Sequence, residues 1–340
     1  MITFNPHKII YKYLLSSFFS GLFFKKKHIF SKNIFYTGSG KSSISLILSF
    51  LKNEQVIKDK TCNIDVPKWM GYYIYNIIQE HCNPTFVNTV DSKLFYAYHQ
   101  YGFPQDMDKI KDYCENKKLI LIEDCAHVLR SYYKKKALGT FGDFSIYSFS
   151  KFVYCHSLGG VSCNNSKWEE KFKDHYFVND SKSSKILLFL INLHKYLLTN
   201  HPNNKSINFF NKIFYNIYST NSNFSKSSIY LLDKNIREEI DKRKIMYEYL
   251  IKYFSSYSIF DHLEKKDVIP WAIPLFFKKN LLKIKNELKN IGIETGVYHF
   301  DVNRFSVNPK FKKTILLPIT FELGSSKFEK MLDILKKNIN

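Results

Sequence analysis

Short apolar runs alternate with helical hydrophobic patterns from about residue 33 onward, a pattern typical of an α/β domain. Apolar residues at positions 44, 47, 48 and 51 have the i, i+3, i+4, i+7 spacing of an amphipathic helix. Residues 119–122 are continuously apolar, which indicates a strand buried on both faces of a parallel sheet. Glu123 and Asp124 follow this run directly. Because open α/β sheets bind ligands at the carboxyl ends of their strands, the sequence predicts a site beside these carboxylates.

Further strands are predicted over residues 144–149 and after the glycine pair at 159–160, and the last third of the chain predicts a smaller α+β domain. There, helical spacing runs from about residue 231 to 254, a strand-like segment covers 271–276, and helices are expected over 281–290 and near the C-terminus. Residues 166–222 carry few strand signals and indicate an insertion. We therefore predict a basic, aromatic N-terminal segment (1–29), a large domain (30–224) containing the insertion, and a small domain (225–340).

Composition limits the classes of partner. The 340 residues include 51 Lys and Arg against 30 Asp and Glu, a formal net charge of +21. These basic residues are spread along the whole chain, so we expect no nucleic-acid partner despite the charge. The six cysteines form no CxxC pair and match no zinc spacing, so we expect no metal site. Reduced cysteines favour a cytoplasmic protein.

Two apolar segments raise the question of membrane contact. Residues 9–24 are interrupted by lysine and followed by three lysines, and a second apolar run covers residues 186–198. Both are poor candidates for a membrane span. Either could lie on the inner membrane face as an amphipathic helix, although packing against the protein itself is the favoured interpretation.

Residues 37–42 (TGSGKS) immediately precede the first predicted helix. They resemble the end of a Walker A loop, but Phe35 stands where that motif requires glycine. Small residues at a helix N-terminus still favour an anion, because the backbone N–H groups and the helix dipole both point at it. A phosphate site and a simple turn with a helix cap remain alternatives at this point.

Lys151 follows the apolar run 144–149, which is an expensive place for an ammonium group. A desolvated lysine has a depressed pKa and can form a Schiff base. The pattern alone favours an ordinary lysine at a strand end that reaches solvent, because the chain is rich in lysine.

Several short motifs occur in one order along the chain, and their shared order is more specific than any one of them. Together they resemble the sugar aminotransferases of the DegT/DnrJ/EryC1/StrS family, which have the type I fold of pyridoxal phosphate-dependent transferases, with a large, mostly parallel α/β/α domain and a smaller C-terminal α+β domain. The motifs are residues 39–42 (SGKS), 99–102 (HQYG), 106–108 (DMD), 122–127 (IEDCAH), 139–143 (GTFGD), 148–151 (SFSK), 159–160 (GG) and 317–318 (LP).

The resemblance implies roles for the residues around the pyridoxal 5′-phosphate ring. Lys151 would bind the cofactor covalently and later carry a proton. Asp124 would pair with the pyridinium nitrogen, which keeps the ring an electron sink. His127 would lie near the ring, and an aromatic residue would stack on it, with Trp69 preferred over Tyr72.

The resemblance also implies a phosphate site and a substrate site. Backbone groups of Gly40 and Lys41, with the Ser148 hydroxyl, would hold the cofactor phosphate. Asn221 aligns with an asparagine that reaches the phosphate of the neighbouring subunit, which implies a homodimer. The candidate substrate contacts are Tyr298, His299 and Arg304.

Together these assignments imply a transaminase that moves an amino group, usually from glutamate, to a nucleotide-linked keto-sugar for a surface polysaccharide such as lipopolysaccharide. Related pyridoxamine-dependent dehydratases replace the lysine with histidine, so Lys151 argues against that activity. A catalytically silent protein on the membrane surface and a nucleotide- or nucleic-acid-binding module built on residues 38–42 are the alternatives from other classes.

Overall fold

The computed structural model describes residues 34–86, 91–155, 157–179, 224, 226–278, 280–320 and 322–339, together with residues 193 and 197. The N-terminal segment 1–29 and most of the predicted insertion lie outside these residues. Among the helices described, none is long and apolar enough to cross a membrane.

Within the described residues, a seven-stranded sheet forms the centre of the large domain, in the order β1-β9-β8-β5-β4-β2-β3. Only β9 runs antiparallel to its neighbours, so the carboxyl ends of the other six strands lie at one edge of the sheet. A short hairpin, β6–β7, stands apart from the sheet. The strands are β1 (Ile34–Thr37), β2 (Asn63–Val66), β3 (Asn83–Phe86), β4 (Ser92–Tyr98), β5 (Ile120–Cys125), β6 (Tyr132–Tyr133), β7 (Lys136–Ala137), β8 (Phe144–Ser148) and β9 (Gly159–Cys163).

The helices of the large domain are α1 (Gly40–Asn53), α2 (Tyr72–His81), α3 (Met107–Lys117) and α4 (Glu169–Asn179), the last within the predicted insertion. The apolar spacing that predicted α1 is confirmed, since all four of its residues are buried in one core cluster with β4, β5 and β8. Ser39 and Ser42 cap this helix reciprocally, each side chain bonding to the other's backbone N–H. The capping box fixes where the helix begins, directly after β1.

The C-terminal part of the chain forms a three-stranded antiparallel sheet in the order β10-β12-β11, packed with three helices around its own core. The predicted helix over 281–290 is confirmed, and Gly292 just beyond it has a φ of +80°, as a helix-terminating glycine requires. The elements are α5 (Lys226–Tyr253), β10 (Ala272–Leu275), α6 (Leu281–Asn290), β11 (Gly296–Asp301), β12 (Phe311–Pro318) and α7 (Ser326–Ile339).

A buried carboxylate, Glu123 on β5, fixes the loop that precedes β8. Burial raises the pKa of Glu123, but the hydrogen bonds and the His99 charge outweigh burial and hold the pKa below its ordinary value. Although His99, Glu123 and Cys125 lie close together, the Glu123 oxygens already accept several donors, so the cluster is structural. The donors are His99 Nε2 (2.9 Å), the backbone N–H groups of Gly139 (2.6 Å), Phe141 (2.9 Å) and Gly142 (3.1 Å), and Ser145 Oγ (3.3 Å).

We expect Glu123→Gln to lower the free energy of unfolding by about 3–5 kcal/mol at pH 7, because it leaves buried donors without their acceptor. The folded pKa is lower than the unfolded one, so the contribution of Glu123 is full above about pH 4.3 and is lost as the pH falls through the folded pKa. Urea unfolding between pH 3 and pH 7 measures both effects. The exposed Glu115→Gln is the matched control; equal stabilities at pH 7 for Glu123→Gln and the wild type would contradict the assignment.

Candidate active site

A partly buried lysine lies at the edge where the six strands end. β8 ends at Ser148, and the next three residues form a short helical turn that places Lys151 beside the end of β5. Lys151 Nζ lies 2.7 Å from Nε2 of His127. The His127 ring is stacked on Trp271, with centroids 4.2 Å apart and planes 2° apart, and Lys151 Nζ lies 5.6 Å from the Trp271 ring centroid. The amine therefore lies beside the edge of a stacked imidazole–indole pair, and the indole belongs to the residue just before β10.

Burial sets the protonation of this cluster. Burial lowers the pKa of Lys151 to about 8, while the negative charge of Asp124 acts in the opposite direction. Burial, and then the Lys151 charge, lower the pKa of His127 well below its ordinary value. The histidine is therefore a neutral hydrogen-bonding partner, and an appreciable fraction of Lys151 is an uncharged nucleophile near neutral pH.

The second charged group is Asp124, at the end of β5 and only 3% exposed. Tyr96 OH donates to Oδ2 at 2.6 Å, and the Ala126 backbone N–H donates to Oδ1 at 2.8 Å. Burial raises the pKa of Asp124, although these hydrogen bonds and the Lys151 charge act against it. Each oxygen keeps a lone pair. The fixed carboxylate can therefore accept a hydrogen bond from a protonated ring nitrogen.

An anion cradle lies at the N-terminus of α1, next to the end of β8. A Cβ built on Gly40 would lie 3.0 Å from the Ser148 Cβ and 3.4 Å from its Oγ. A Cβ on Gly159 would lie 2.2 Å from the Ser39 carbonyl carbon and 2.6 Å from the Gly40 nitrogen. These close approaches require glycine and bring the first-turn N–H groups beside the Ser148 hydroxyl, the donor set that a phosphate needs.

Gly159→Ala is expected to weaken pyridoxal phosphate binding by about tenfold or more, because the new methyl group must push the 39–40 backbone out of place. This corresponds to at least about 1.4 kcal/mol of lost binding free energy. Equilibrium titration of the cofactor measures the effect. Gly71→Ala is the matched control, since its Cβ would meet nothing closer than Ile74 at 3.8 Å; equal weakening in both variants would contradict the cradle.

The aromatic residues predicted to stack on the cofactor lie further out. Trp69 is 49% exposed and stacks on His299, with centroids 4.3 Å apart, while Tyr72 is 72% exposed. The indole nearest to Lys151 belongs instead to Trp271. Ring stacking by Trp69 remains a prediction, and in this structure the side chain joins the large domain to β11.

The other predicted substrate contacts are placed separately. Tyr298 packs edge-on against Tyr101, whose ring lies parallel to His127 at a centroid distance of 6.1 Å. Arg304 is ion-paired with Glu264, and burial lowers the pKa of its guanidinium. Asn221 lies outside the described residues. The substrate roles of these residues remain predictions.

Sequence reasoning missed the residues that join the two domains at the site. Gln100 Nε2 donates to the His299 carbonyl at 2.6 Å, and Gln100 Oε1 accepts from the Asp301 N–H at 3.0 Å, so one side chain clamps β11. The backbone N–H of Trp271 donates to the Tyr101 carbonyl at 2.9 Å. Gln100 and Tyr101, which follow β4, thus hold two elements of the small domain. Gln100 holds β11, and Tyr101 holds the backbone of Trp271, whose indole stacks on His127.

Sequence reasoning also missed Tyr96 and Tyr98 on β4. These residues are two apart and therefore on one face of the strand, and Tyr98 pairs in register with Asp124. The alternation was visible in the sequence, but the neighbouring position of β4 and β5 was not.

The residues present fit pyridoxal 5′-phosphate: a buried amine of lowered pKa, a fixed carboxylate and a glycine-lined anion cradle meet at one edge of the sheet. Lys151 would hold the aldehyde carbon, Asp124 the ring nitrogen, and Gly40, Lys41 and Ser148 the phosphate. The side chain beside the proposed phosphate position is that of Ser148, which is small and carries a hydroxyl donor.

The chain is similar in sequence and in fold to known aminotransferases. Over 80 residues the chain is 44% identical to GDP-perosamine synthase of Escherichia coli O157:H7, covering 23% of this chain and 22% of that protein. The chain therefore matches only about a fifth of the length of this curated relative. The fold is shared with Helicobacter pylori PseC, an aminotransferase involved in the biosynthesis of pseudoaminic acid (TM-score 0.61, 15% identity, 97% of each chain), and with NtdA from Bacillus subtilis with bound cofactor PMP (TM-score 0.56, 15% identity, 90% of this chain and 73% of that one).

The family assignment rests on a longer match. Residues 88–319 match the model of the DegT/DnrJ/EryC1/StrS aminotransferase family, a range that includes Asp124, Lys151 and the small-domain sheet. The enzymes of this family use pyridoxal phosphate. The chain belongs to the DegT/DnrJ/EryC1/StrS aminotransferase family.

Proposed function

We propose that this protein is a pyridoxal phosphate-dependent transaminase that moves an amino group from an amino-acid donor, glutamate in the first instance, to a keto-sugar carried on a nucleoside diphosphate. The product would be an amino sugar for a surface polysaccharide such as lipopolysaccharide. The observation that carries the proposal is the buried Lys151 amine held beside Asp124 and His127.

The residues of this chain would divide the work. When bound, the cofactor supplies an electron sink for the carbanion formed at the substrate carbon. Asp124 would keep a proton on the ring nitrogen, and the cradle of Gly40, Lys41 and Ser148 would hold the phosphate. The Lys151 amine removes the proton from the donor's α-carbon and later delivers a proton to the sugar carbon, acting as base and then as acid.

The substrate class is supported by the relatives and by charge. GDP-perosamine synthase and PseC are named for amino-sugar biosynthesis, and a net charge of +21 would steer a doubly phosphorylated substrate towards the protein. In this proposal the sugar would be contacted by His299, which stacks on Trp69, and by Tyr298, which packs against Tyr101. In this proposal Arg304 either supports the turn after β11 or leaves its ion pair with Glu264 to bind a phosphate of the substrate.

The proposed assembly and location follow from the same family. We propose a homodimer in which Asn221 completes the partner's phosphate site. All six cysteines are free, which favours the reducing cytoplasm. We also propose peripheral membrane contact through residues 1–29.

The alternatives find less support. A dehydratase would need another residue where Lys151 stands. A catalytically silent scaffold has no use for a buried amine whose pKa is lowered to about 8 next to a glycine-lined anion cradle.

The test is transfer of ¹⁵N from labelled glutamate to a panel of nucleoside-diphosphate keto-sugars, followed by mass spectrometry of the products. The proposal expects ¹⁵N in at least one nucleotide sugar and none with Lys151→Ala. Transfer only to simple 2-oxo acids would exclude the sugar substrate. No transfer from any amino donor by cofactor-saturated protein would exclude the transaminase.

A further inference from the structure

A chain of hydrogen bonds leads away from the reactive amine. Lys151 Nζ contacts His127 Nε2 at 2.7 Å, and His127 Nδ1 contacts Tyr98 OH at 2.6 Å. We propose that His127 and Tyr98 form a proton path between the Lys151 amine and the cleft that Tyr98 lines. The inference rests on the proposed function only in taking Lys151 as the group that must gain and lose a proton.

The imidazole is held in the position that a relay requires. His127 is 8% exposed, and its ring lies flat between Trp271 at 4.2 Å and Tyr101 at 6.1 Å. Both ring nitrogens point at a partner, one at the amine and one at the phenol. An imidazole that only packed against the indole would need no pair of short hydrogen bonds in line with Lys151.

The outer end of the path is a narrow cleft between the two domains, where Tyr98, Gln105, Asp301 and Ser306 lie among apolar residues and the exposed Lys68 and Trp69 stand at the mouth. Within the described part of the chain, Gln105 Oε1 and Ser306 Oγ are buried and have no hydrogen-bond partner. Buried polar atoms in this situation bind ordered water. The cleft therefore offers a site where an ordered water would take up or supply a proton next to Tyr98.

The transfer balances without a further reactant. An N–H bond of the Lys151 ammonium breaks as His127 Nε2 gains the proton, His127 Nδ1–H passes its proton to the Tyr98 oxygen, and the Tyr98 O–H passes its own proton to a cleft water. Lys151 is left neutral and His127 is left as the other neutral tautomer. Movement of a proton in the reverse direction restores the starting state.

The pKa shifts of the three groups agree with this order of proton transfers. The pKa of Lys151 is lowered to about 8, the pKa of His127 is lowered well below its ordinary value, and burial raises the pKa of Tyr98 well above its ordinary value. The histidine and tyrosine thus carry protons without holding a charge between transfers. The competing acceptor is Asp124, whose oxygens already accept from Tyr96 and Ala126.

Hydrogen exchange at the lysine nitrogen tests the path directly. The full chain, freed of cofactor and labelled with ¹⁵N at lysine Nζ, gives the rate at which the Lys151 Nζ protons exchange with water by NMR. Tyr98→Phe removes one hydroxyl and is expected to slow this exchange at least about tenfold. This is less than the rate increase of about 10²–10⁴-fold that a positioned acid or base typically supplies. The Lys151 signal is identified by its loss in Lys151→Arg.

The control is Tyr249→Phe, which removes an exposed hydroxyl from α5 and should leave the exchange rate at the wild-type value. If Tyr98→Phe does not fold, His127→Gln interrupts the same path and should slow exchange similarly. Unchanged or faster exchange in a folded path variant would overturn the proposal and assign the proton to Asp124 or to direct solvent access. Because no sugar or donor is present, this result is independent of whether the protein proves to be a sugar transaminase.

Discussion

Lys151→Ala is expected to reduce amino transfer by at least about 10³-fold while leaving the fold intact. The variant removes both the nucleophile that binds the cofactor and the base that moves the substrate proton, and either role alone accounts for about 10²–10⁴-fold. The wild-type amine is buried, with its pKa lowered to about 8 by burial, so removing it relieves an unfavourable burial and should not destabilise the protein.

The rate of ¹⁵N transfer and the melting temperature are the measurements. Lys173→Ala on α4 is the matched control, because this lysine is exposed. Transfer by Lys151→Ala within tenfold of the wild-type rate would contradict the assignment of Lys151.

Asp124→Asn is expected to lower the turnover number by about 10²–10³-fold, comparable to removing one preorganised electrostatic partner from an active site. The amide keeps the size of the side chain and its bond from Tyr96, but it no longer stabilises a proton on a ring nitrogen. The pKa of Asp124 is raised by burial in the cofactor-free protein, and a bound cationic ring should lower it again.

For this variant we expect a fall in turnover number with weaker cofactor binding, measured by steady-state kinetics and equilibrium titration. Asp112→Asn on α3 provides the control, since its side chain is exposed. Unchanged turnover in Asp124→Asn would show that the carboxylate does not face the ring.

The local parts of the site were predictable from the sequence because they depend on neighbouring residues. The helix after residue 39, the buried strand before Asp124 and the strand before Lys151 all follow from hydrophobic spacing, and the structure places Asp124 and Lys151 close enough for each to shift the pKa of the other. The family resemblance added the identity of the ligand that we propose connects them.

The remaining parts depend on contacts that spacing does not encode. Trp271 lies 120 residues beyond Lys151, and Gln100 reaches residues 199 and 201 positions away, so these contacts exist only because the small domain packs on the large one. Tyr98 acquires its role from the pairing of β4 with β5. Trp69 was assigned by motif order, whereas its side-chain direction is determined by His299 and Phe311 across the domain boundary.

Reductive trapping tests the central claim most directly. The protein is saturated with pyridoxal phosphate, reduced with borohydride, digested and analysed by mass spectrometry for a pyridoxyl group. We predict a single major adduct on the peptide containing Lys151, absent from Lys151→Ala. Cofactor-saturated protein without label on Lys151, or with label distributed over exposed lysines only, would contradict the account.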